Sequence, residues 1–256
     1  MDGVRIDVRG AVLEVTLDRP PANAIDAATS RELGEAFARL RDDRSLRAGI
    51  VTGAGDRFFS AGWDLKAAAA GDEEDFGPGG FAGLTELFDL DVPVIAAVNG
   101  MAVGGGFELA LACDLILAVP DAELFTPEVN LGFVPDAGGV VRLPSRLPRA
   151  IAMELLLTGR RMSAEEAARH GLVNRVVDPI DLMTAARDLA DAIADAAPLA
   201  TRAVKAVVRA TEGLGAEDAY AAMREVPAYR EMLTSEDAAE GPRAFAEGRS
   251  PNWRGR

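Results

Sequence analysis

The chain has 256 residues, of which 49% are hydrophobic and 27% are charged, and this balance is typical of a folded globular protein. Its formal net charge of −14 disfavours nucleic acid and anionic membranes as main partners, because both select basic surfaces. A small polyanionic ligand remains compatible with this charge, since a few local basic side chains can hold its phosphates.

The single cysteine and the N-terminal residues indicate the compartment. Cys113 cannot form an internal disulfide and lies in an apolar run, so we expect a buried structural thiol in a reducing environment. The first ten residues lack the apolar segment of a secretory signal. Polar residues and glycines interrupt the longest apolar run, so it does not predict a membrane span. We therefore expect a cytoplasmic location.

Short apolar strands alternate with helical segments along most of the chain. Residues 4–18 alternate with period two around Arg9-Gly10 and predict a hairpin, and a helix is predicted over 30–43 with Asp26 or Thr29 as its cap. Further strands are predicted at 48–55, 94–98, 114–119 and 172–177, with a short element at 123–129, and further helices at 81–91, 107–113 and 163–171. Strands alternating with helices favour an α/β fold with buried, largely parallel strands.

Two segments depart from this alternation. Residues 67–81 are acidic and rich in glycine, which is typical of a mobile loop. From about residue 180 the pattern is helical, with breaks at Pro198 and at 213–215. These features predict an α/β core over 1–195 and a C-terminal helical region over 196–256.

The stretch VIAAVNGMAVGGGFELALACDLILAV (94–119) places one acid, Glu108, among apolar residues. An ionised carboxylate there costs several kcal/mol unless it is paired, and its pKa tends to rise. Glu108 follows Gly104, Gly105 and Gly106 at a predicted helix start, where backbone N–H groups are free and glycine lets a ligand approach. We expect a site for acyl chemistry here. The alternative is a glutamate that caps its own helix, with the glycines forming a tight turn.

A second acid, Glu128, lies twenty residues further on, in a glycine-bearing apolar loop. Two carboxylates that flank one ligand suit the addition of water to a double bond, because one takes a proton from water and the other supplies a proton to carbon. The alternative for Glu128 alone is an ordinary surface acid.

Several motifs resemble those of the enoyl-CoA hydratase (crotonase) family, in the family's order and over nearly the whole chain. They are SAGWDLK, PVIAAVNGMAVGGGFELALACD, TPEVNLGFVPDAGG followed by RLP, and LTGRRMSAEEAARHGLVNRVV. The resemblance implies a spiral of ββα units with a C-terminal helical region used to form trimers, often as a dimer of trimers. It also implies an acyl-CoA substrate, with no metal and no cofactor besides the coenzyme A of that substrate.

The resemblance assigns roles to five residues. Trp63 and Gly105 supply the two backbone N–H groups of an oxyanion hole, and Glu108 and Glu128 jointly hold the water, with Glu128 handling the carbon-bound proton. The presence of both glutamates favours hydration or dehydration over the family's other reactions. Asp136 aligns with a position whose backbone N–H steadies the water, and its alternative role is a cap for the following helix.

Contacts to coenzyme A are also implied by the resemblance. They fall on Ala22, Ala24, Ala61, Asp64, Leu65 and Lys66, where Lys66 would meet a phosphate or would be an ordinary solvated lysine. Gly248 stands where the family often has a lysine, which leaves Arg249 or Arg243 as candidate replacements across a subunit interface.

The likeness is strongest to members that act on carnitine-type acyl groups, through the segments 18–30, 50–69, 75–91 and 235–253. It implies hydration of crotonobetainyl-CoA to carnitinyl-CoA. The alternatives are a general short-chain enoyl-CoA hydratase and, in another class, a non-catalytic protein that binds coenzyme A or RNA.

The trimethylammonium of such an acyl group suits aromatic faces. Trp63, Phe76 and Phe81 are the candidates, with packing as the alternative for Trp63. His170 is expected at a surface or a helix end rather than in the site.

Overall fold

The computed structural model describes residues 3–71 and 75–256, so the predicted mobile loop 67–81 lies in part, at 72–74, outside the described residues. The strands are β1 (Val4–Arg9), β2 (Val12–Leu17), β3 (Ala48–Gly53), β4 (Phe58–Ser60), β5 (Val94–Val98), β6 (Met101–Val103), β7 (Leu115–Ala118), β8 (Glu123–Phe125), β9 (Met162–Ser163) and β10 (Arg175–Val176). The helices are α1 (Ala27–Asp42), α2 (Leu65–Ala69), α3 (Gly105–Ala112), α4 (Gly139–Arg146), α5 (Arg149–Thr158), α6 (Ala164–Arg169), α7 (Leu182–Ala194), α8 (Pro198–Thr211), α9 (Ala216–Glu225), α10 (Pro227–Leu233) and α11 (Glu236–Glu247).

The strands form two sheets. The larger sheet has the order β1-β2-β3-β5-β7-β10 and is parallel except for the β1–β2 hairpin. The smaller sheet has the order β4-β6-β8-β9 and is parallel except for the β8–β9 pair. The predicted α/β class with largely parallel strands is confirmed.

Three consecutive ββα units build both sheets. In β3-β4-α2, β5-β6-α3 and β7-β8-α4 the first strand joins the larger sheet and the second strand joins the smaller one. Strands β4, β6 and β8 are therefore parallel neighbours, and their carboxyl ends meet at one edge of the smaller sheet. That edge collects the segments that begin at Ala61, Gly104 and Thr126.

Burial explains the composition of the larger sheet. Every residue of β3 and β5 is buried, as expected for parallel strands covered on both faces. Helix α1 contacts β1 and β2 and buries Leu33, Phe37 and Leu40, and α7 packs against β2, β3, β5 and β7. Asp26, one of the two predicted caps, is the N-cap of α1, which begins at Ala27. Its side chain accepts the Thr29 N–H at 2.8 Å.

The helix predicted over 81–91 is wrong, because only a 3-10 helix at Phe81–Gly83 forms, followed by turns. Gly80, Ala82 and Gly83 have φ angles of 68°, 55° and 65°, which an α-helix does not allow. The Cα of Gly83 also lies against the Gly34 backbone of α1 so closely that a Cβ would collide. Tertiary packing against α1 therefore overrides the helical spacing of the sequence.

The chain beyond residue 180 is helical up to Glu247, and its last residues, 249–256, have no regular structure. Lys205 ties α8 to the core by donating to Asp114 Oδ2 at 2.8 Å and to the Val92 carbonyl at 3.0 Å. The boundary at 195 stays a prediction. No helix within the described residues is both long and apolar enough to cross a membrane.

Glu14 links the larger sheet to α7 through a buried carboxylate. It accepts from Arg187 Nε at 2.8 Å and Nη2 at 2.7 Å, and from Arg9 Nε at 3.2 Å. The Arg187 hydrogen bonds hold the pKa of Glu14 below its usual value. This carboxyl therefore stabilises the fold above its unfolded-state pKa, and the contribution is lost as the pH falls through the folded-state pKa.

We predict that Glu14→Gln lowers the free energy of unfolding at pH 7 by about 1–2 kcal/mol, because it removes the charge that both arginines bind. The loss stays this small because both arginines are partly exposed and solvent screens their ion pairs with Glu14. Urea unfolding at pH 7 and pH 3 measures this, and the difference from wild type should shrink at pH 3. Glu35→Gln, an exposed position on α1, is the matched control and should change neither value. A deficit of equal size at both pH values would contradict the prediction.

Candidate active site

Glu108 lies in the first turn of α3 and is 2% exposed. Its Oε1 accepts the backbone N–H of Gly139 at 2.8 Å. Gly139 is the first residue of α4, so the carboxylate meets the positive end of a neighbouring helix. The alternative that Glu108 caps its own helix is wrong, because the N-cap of α3 is Gly104 and no side chain caps it.

The surroundings of Glu108 favour its neutral form. Burial raises the pKa of Glu108 to about 7, and the Gly139 N–H opposes that rise. The nearby carboxylates of Glu128 and Asp136 raise the pKa further, whereas the charge of Arg142 lowers it. Near neutral pH the side chain is thus available both as a proton acceptor and as a proton donor.

Glu128 follows β8 and Pro127, in the 3-10 helix Glu128–Leu131. Burial raises its pKa, and the charge of Asp136 adds to the rise. Within residues 3–71 and 75–256 its buried Oε2 has no hydrogen-bond partner. A surface acid would keep both oxygens in water, so that alternative for Glu128 is wrong.

Each glycine of the triplet faces a different group at close range. The Cα of Gly104 faces Glu128 Oε1, that of Gly105 faces the Phe81 ring, and that of Gly106 faces the Ser60 carbonyl. A Cβ at any of the three would collide with its neighbour, and Gly104 also has a φ of 52°. The triplet therefore allows an acid, a ring and a strand end to converge on one helix start.

The N–H groups expected to form an oxyanion hole are neighbours. The bonds from Ile25 N to the Gly62 carbonyl (2.8 Å) and from Asp64 N to the Ile25 carbonyl (2.9 Å) direct the intervening Trp63 N–H away from Ile25. A Cβ on Gly62 would lie 2.7 Å from the Gly105 nitrogen. Across the described ranges neither the Trp63 nor the Gly105 N–H has an intramolecular acceptor.

The residues expected to contact coenzyme A lie in two adjoining segments. The Ala61 N–H donates to the Ala22 carbonyl at 2.9 Å, which joins residues 22–24 to residues 61–66. Leu65 is 56% exposed and Lys66 is exposed beside it.

Asp64 is engaged within the chain. Its Oδ2 accepts from Arg19 at 2.8 Å, and its Oδ1 caps the start of α2 by accepting the Lys66 and Ala67 N–H groups at 3.1 and 3.2 Å. Arg19 also donates to the Ala24 carbonyl at 2.9 Å. The structure therefore gives the Asp64 side chain a structural role, and since its N–H donates to the Ile25 carbonyl, its own carbonyl is the group left for a ligand.

The three candidate aromatic residues form one cluster beside Gly105. Ring centroids are 4.6 Å apart for Trp63 and Phe76, 5.5 Å for Phe76 and Phe81, and 6.1 Å for Trp63 and Phe81. Phe81 is buried, whereas Trp63 and Phe76 are half-buried. The Trp63 ring therefore packs against the Phe76 and Phe81 rings in this structure.

The remaining expectations have mixed outcomes. Asp136 is exposed and does not cap α4, whose N-cap is Gly138. Cys113 is confirmed as a buried free thiol, and burial raises its pKa to about 12. His170 is confirmed at a helix end, as the C-cap of α6.

The two candidate replacements for the missing lysine are occupied within the chain. Arg243 and Arg249 both pair with the buried Glu240. A phosphate contact from either arginine would need this cluster to open.

Sequence reasoning missed three contributors to the site: Gly139, Arg19 and Arg142. Gly139 holds Glu108, Arg19 joins the two segments around Trp63, and Arg142 places a positive charge near Glu108. The signal for Gly139 and Arg142 was present in VPDAGGVVRLP, where paired glycines precede a helix that carries an inward-facing arginine. The long-range partners are not encoded in any local pattern.

The likeness to known proteins extends over the whole chain and fold. A family profile described as Enoyl-CoA hydratase/isomerase matches residues 7–256. A protein of Proteus mirabilis (strain HI4320) named carnitinyl-CoA dehydratase is 61% identical over 257 residues, covering 99% of this chain and 98% of the relative. One of the same name from Salmonella typhi is 58% identical over 259 residues, covering 100% and 99%. The crystal structure of enoyl-CoA hydratase from Mycobacterium tuberculosis H37Rv has a TM-score of 0.94 at 42% identity and covers 100% of both chains.

We predict that Glu108→Gln stabilises the protein much more at pH 8 than at pH 5. A carboxyl with a raised folded-state pKa costs stability once the pH exceeds its unfolded-state pKa, and the cost is complete above about pH 7. Its upper limit is about 3 kcal/mol, and glutamine keeps an oxygen for the Gly139 N–H. Urea unfolding at both pH values measures the change. An equal loss of stability at pH 5 and pH 8 would contradict the prediction.

Proposed function

Because the chain belongs to the enoyl-CoA hydratase/isomerase family, we propose that it is a hydro-lyase that adds water across the α,β double bond of an acyl-CoA thioester and removes it in the reverse direction. One observation carries this proposal. Glu108 and Glu128, both with raised pKa values, lie beside two backbone N–H groups that have no acceptor among the described residues. That arrangement combines proton transfer with stabilisation of a developing oxyanion.

The acyl group that fits best is crotonobetainyl, which hydration converts to carnitinyl. Two relatives at 61% and 58% identity over nearly their whole length carry the name carnitinyl-CoA dehydratase. The charges support the same choice, since Glu108, Glu128 and Asp136 interact electrostatically and favour a cationic acyl group. The aromatic cluster of Trp63, Phe76 and Phe81 adds ring faces and edges near the same helix start.

Two other functions fit less well. A general short-chain enoyl-CoA hydratase would use the same catalytic groups, and the similar solved structure from Mycobacterium tuberculosis, at 42% identity, is named enoyl-CoA hydratase. A non-catalytic protein that binds coenzyme A or RNA would gain nothing from a buried and a half-buried acid, whose desolvation costs stability.

In the proposed mechanism the thioester oxygen accepts hydrogen bonds from the Trp63 and Gly105 N–H groups. These donors stabilise negative charge on that oxygen as electrons leave the double bond, and removing one such donor typically costs about 10²–10³ in rate. Gly105 is the first residue of α3, so the helix dipole acts in the same direction.

The two glutamates exchange protons with water and with carbon. In hydration the Glu108 carboxylate takes a proton from water, whose oxygen bonds to the β carbon, and protonated Glu128 gives its proton to the α carbon. In dehydration Glu128 takes the α proton and Glu108 protonates the departing hydroxyl. Each direction transfers one proton at each residue, so the reaction balances without a metal or a redox cofactor.

Binding of coenzyme A is proposed along residues 22–24 and 61–66. We assign this edge to the backbone groups of Ala22, Ala24 and Ala61 and the exposed side chains of Leu65 and Lys66, and we propose that Lys66 meets a phosphate. A homotrimer or a dimer of trimers, and a cytoplasmic location, also stay predictions. Exposed apolar side chains on the C-terminal helices, such as Val204 and Val208 of α8, support assembly through that region.

We predict that Glu108→Gln and Glu128→Gln each lower kcat for hydration of crotonobetainyl-CoA by about 10²–10⁴-fold, because each removes one proton-transfer step. Product formation followed by mass spectrometry measures this. Glu165→Gln, an exposed position on α6, is the control and should keep the wild-type rate. Wild-type turnover in either active-site variant would end the assignment of that glutamate.

We predict that the site distinguishes the charge of the acyl group from its shape. The neutral isostere 5,5-dimethylhex-2-enoyl-CoA has a tert-butyl group in place of the trimethylammonium. If the acids and rings recognise the cation, kcat/KM for crotonobetainyl-CoA should exceed that for the isostere by tenfold or more, at about 1–2 kcal/mol per cation contact. Equal values, or a preference for crotonyl-CoA over both, would favour the general hydratase.

A further inference from the structure

Arg142 is a half-buried cation that borders the site and has no assigned role. It lies on α4 and its side chain points back to the start of that helix, against the Cα of Gly138. Nη2 donates to the Thr85 carbonyl at 2.6 Å, and Nη1 makes a longer contact with the Ala137 carbonyl at 3.4 Å. In the part of the chain that the structure describes, no carboxylate lies within 4 Å of this guanidinium. A charge buried in this way without an ion pair costs stability.

The two carbonyls belong to segments on opposite sides of the site. Thr85 is buried and its hydroxyl donates to the Phe81 carbonyl at 2.9 Å, so it fixes the turn that places Phe81 against Gly105. Ala137 lies in the loop that ends at Gly139, whose N–H holds Glu108. One guanidinium thus connects the wall of the oxyanion hole to the loop that holds the acid.

Several charged groups surround Glu108 and Arg142. Glu128, from the segment after β8, and Asp136, from the loop before α4, raise the pKa of Glu108, whereas Arg142 lowers it. Around Arg142 itself, Arg146 of the same helix opposes its charge, and Glu108, Cys113 and Glu212 favour it. Arginine stays protonated at any working pH, so its charge at this position is permanent.

We propose that Arg142 is a positioning residue of this site: its guanidinium fixes the loop that holds Glu108 and supplies a permanent positive charge beside Gly138, the neighbour of the residue whose N–H binds that carboxyl. The charge favours the ionised form of Glu108, which is the form that accepts a proton from water in hydration. Its two carbonyl bonds hold the charge between the Thr85 turn and the loop before α4. The activity test of this inference depends on the proposed function, and the titration test does not.

The titration test uses the carboxyl stretching band of Glu108 in infrared difference spectra of the whole protein, assigned by its loss in Glu108→Gln. Arg142→Gln should raise the pH midpoint of this band by about one unit, because an opposite charge nearby lowers the pKa of an acid by that order. Arg142→Lys keeps the charge and should keep the midpoint near wild type, although it cannot span both carbonyls. A wild-type midpoint in Arg142→Gln would overturn the inference.

Arg146→Gln is the matched control. Arg146 lies one turn further along α4 and donates to the Leu111, Cys113 and Asp114 carbonyls at 2.7, 3.1 and 3.3 Å. Its loss should lower the unfolding midpoint in urea without moving the Glu108 band. If Arg142→Gln and Arg146→Gln moved the Glu108 band equally, the shift would reflect a general loss of packing and would overturn the inference. If Arg142→Gln does not fold, Arg142→Met supplies the charge-free variant.

The activity test is the pH dependence of kcat/KM for hydration of crotonobetainyl-CoA. In Arg142→Gln the acidic limb should move up by the same unit, giving about tenfold less activity at pH 6 and recovery at pH 9. A uniform loss at all pH values would mean a purely structural role and would overturn the inference. If no enoyl-CoA is hydrated by wild type but the infrared midpoint moves, the proposed function fails and the inference about Arg142 stands.

Discussion

A carboxyl group that is almost fully buried and held by one backbone N–H is the constraint around which this site is arranged. In the described part of the chain, Gly139 is the one backbone donor to Glu108, so the rest of that carboxyl's hydrogen-bonding capacity is not used by the backbone there. Because the surroundings are apolar and two further acids lie nearby, the group remains poised between its two protonation states. Such a buried carboxyl lowers the free energy of unfolding, so other interactions in the surrounding structure compensate for this loss of stability.

The second sheet explains how the other groups reach Glu108. Strands β4, β6 and β8 run parallel, so the residues that follow each strand emerge at one edge. Trp63 follows the first of these strands, Gly105 and Glu108 follow the second, and Glu128 follows the third. The ββα repeat therefore brings together groups that are 65 positions apart in sequence, from 63 to 128.

Close approach at this edge depends on residues without side chains. A methyl group on a glycine of the triplet would displace the acid, the aromatic ring or the strand end that faces that glycine. The charge of Arg142 opposes part of the rise in the pKa of Glu108, and its guanidinium ties the Phe81 turn to the loop before α4. The same few contacts therefore control both the position and the protonation state of Glu108.

The sequence by itself determined the fold class and most strands, because alternating apolar segments of different period leave few alternatives to a layered α/β arrangement. It also singled out Glu108, since an acid in an apolar run is costly, and Glu128 as its possible partner. Tertiary structure decided what no local pattern contains: that Glu108 is held by another helix, that residues 81–91 turn instead of forming a helix, and that Arg243 and Arg249 pair with Glu240. The physical reason is that these outcomes depend on contacts between segments that are distant in sequence, whose energies exceed the local preferences.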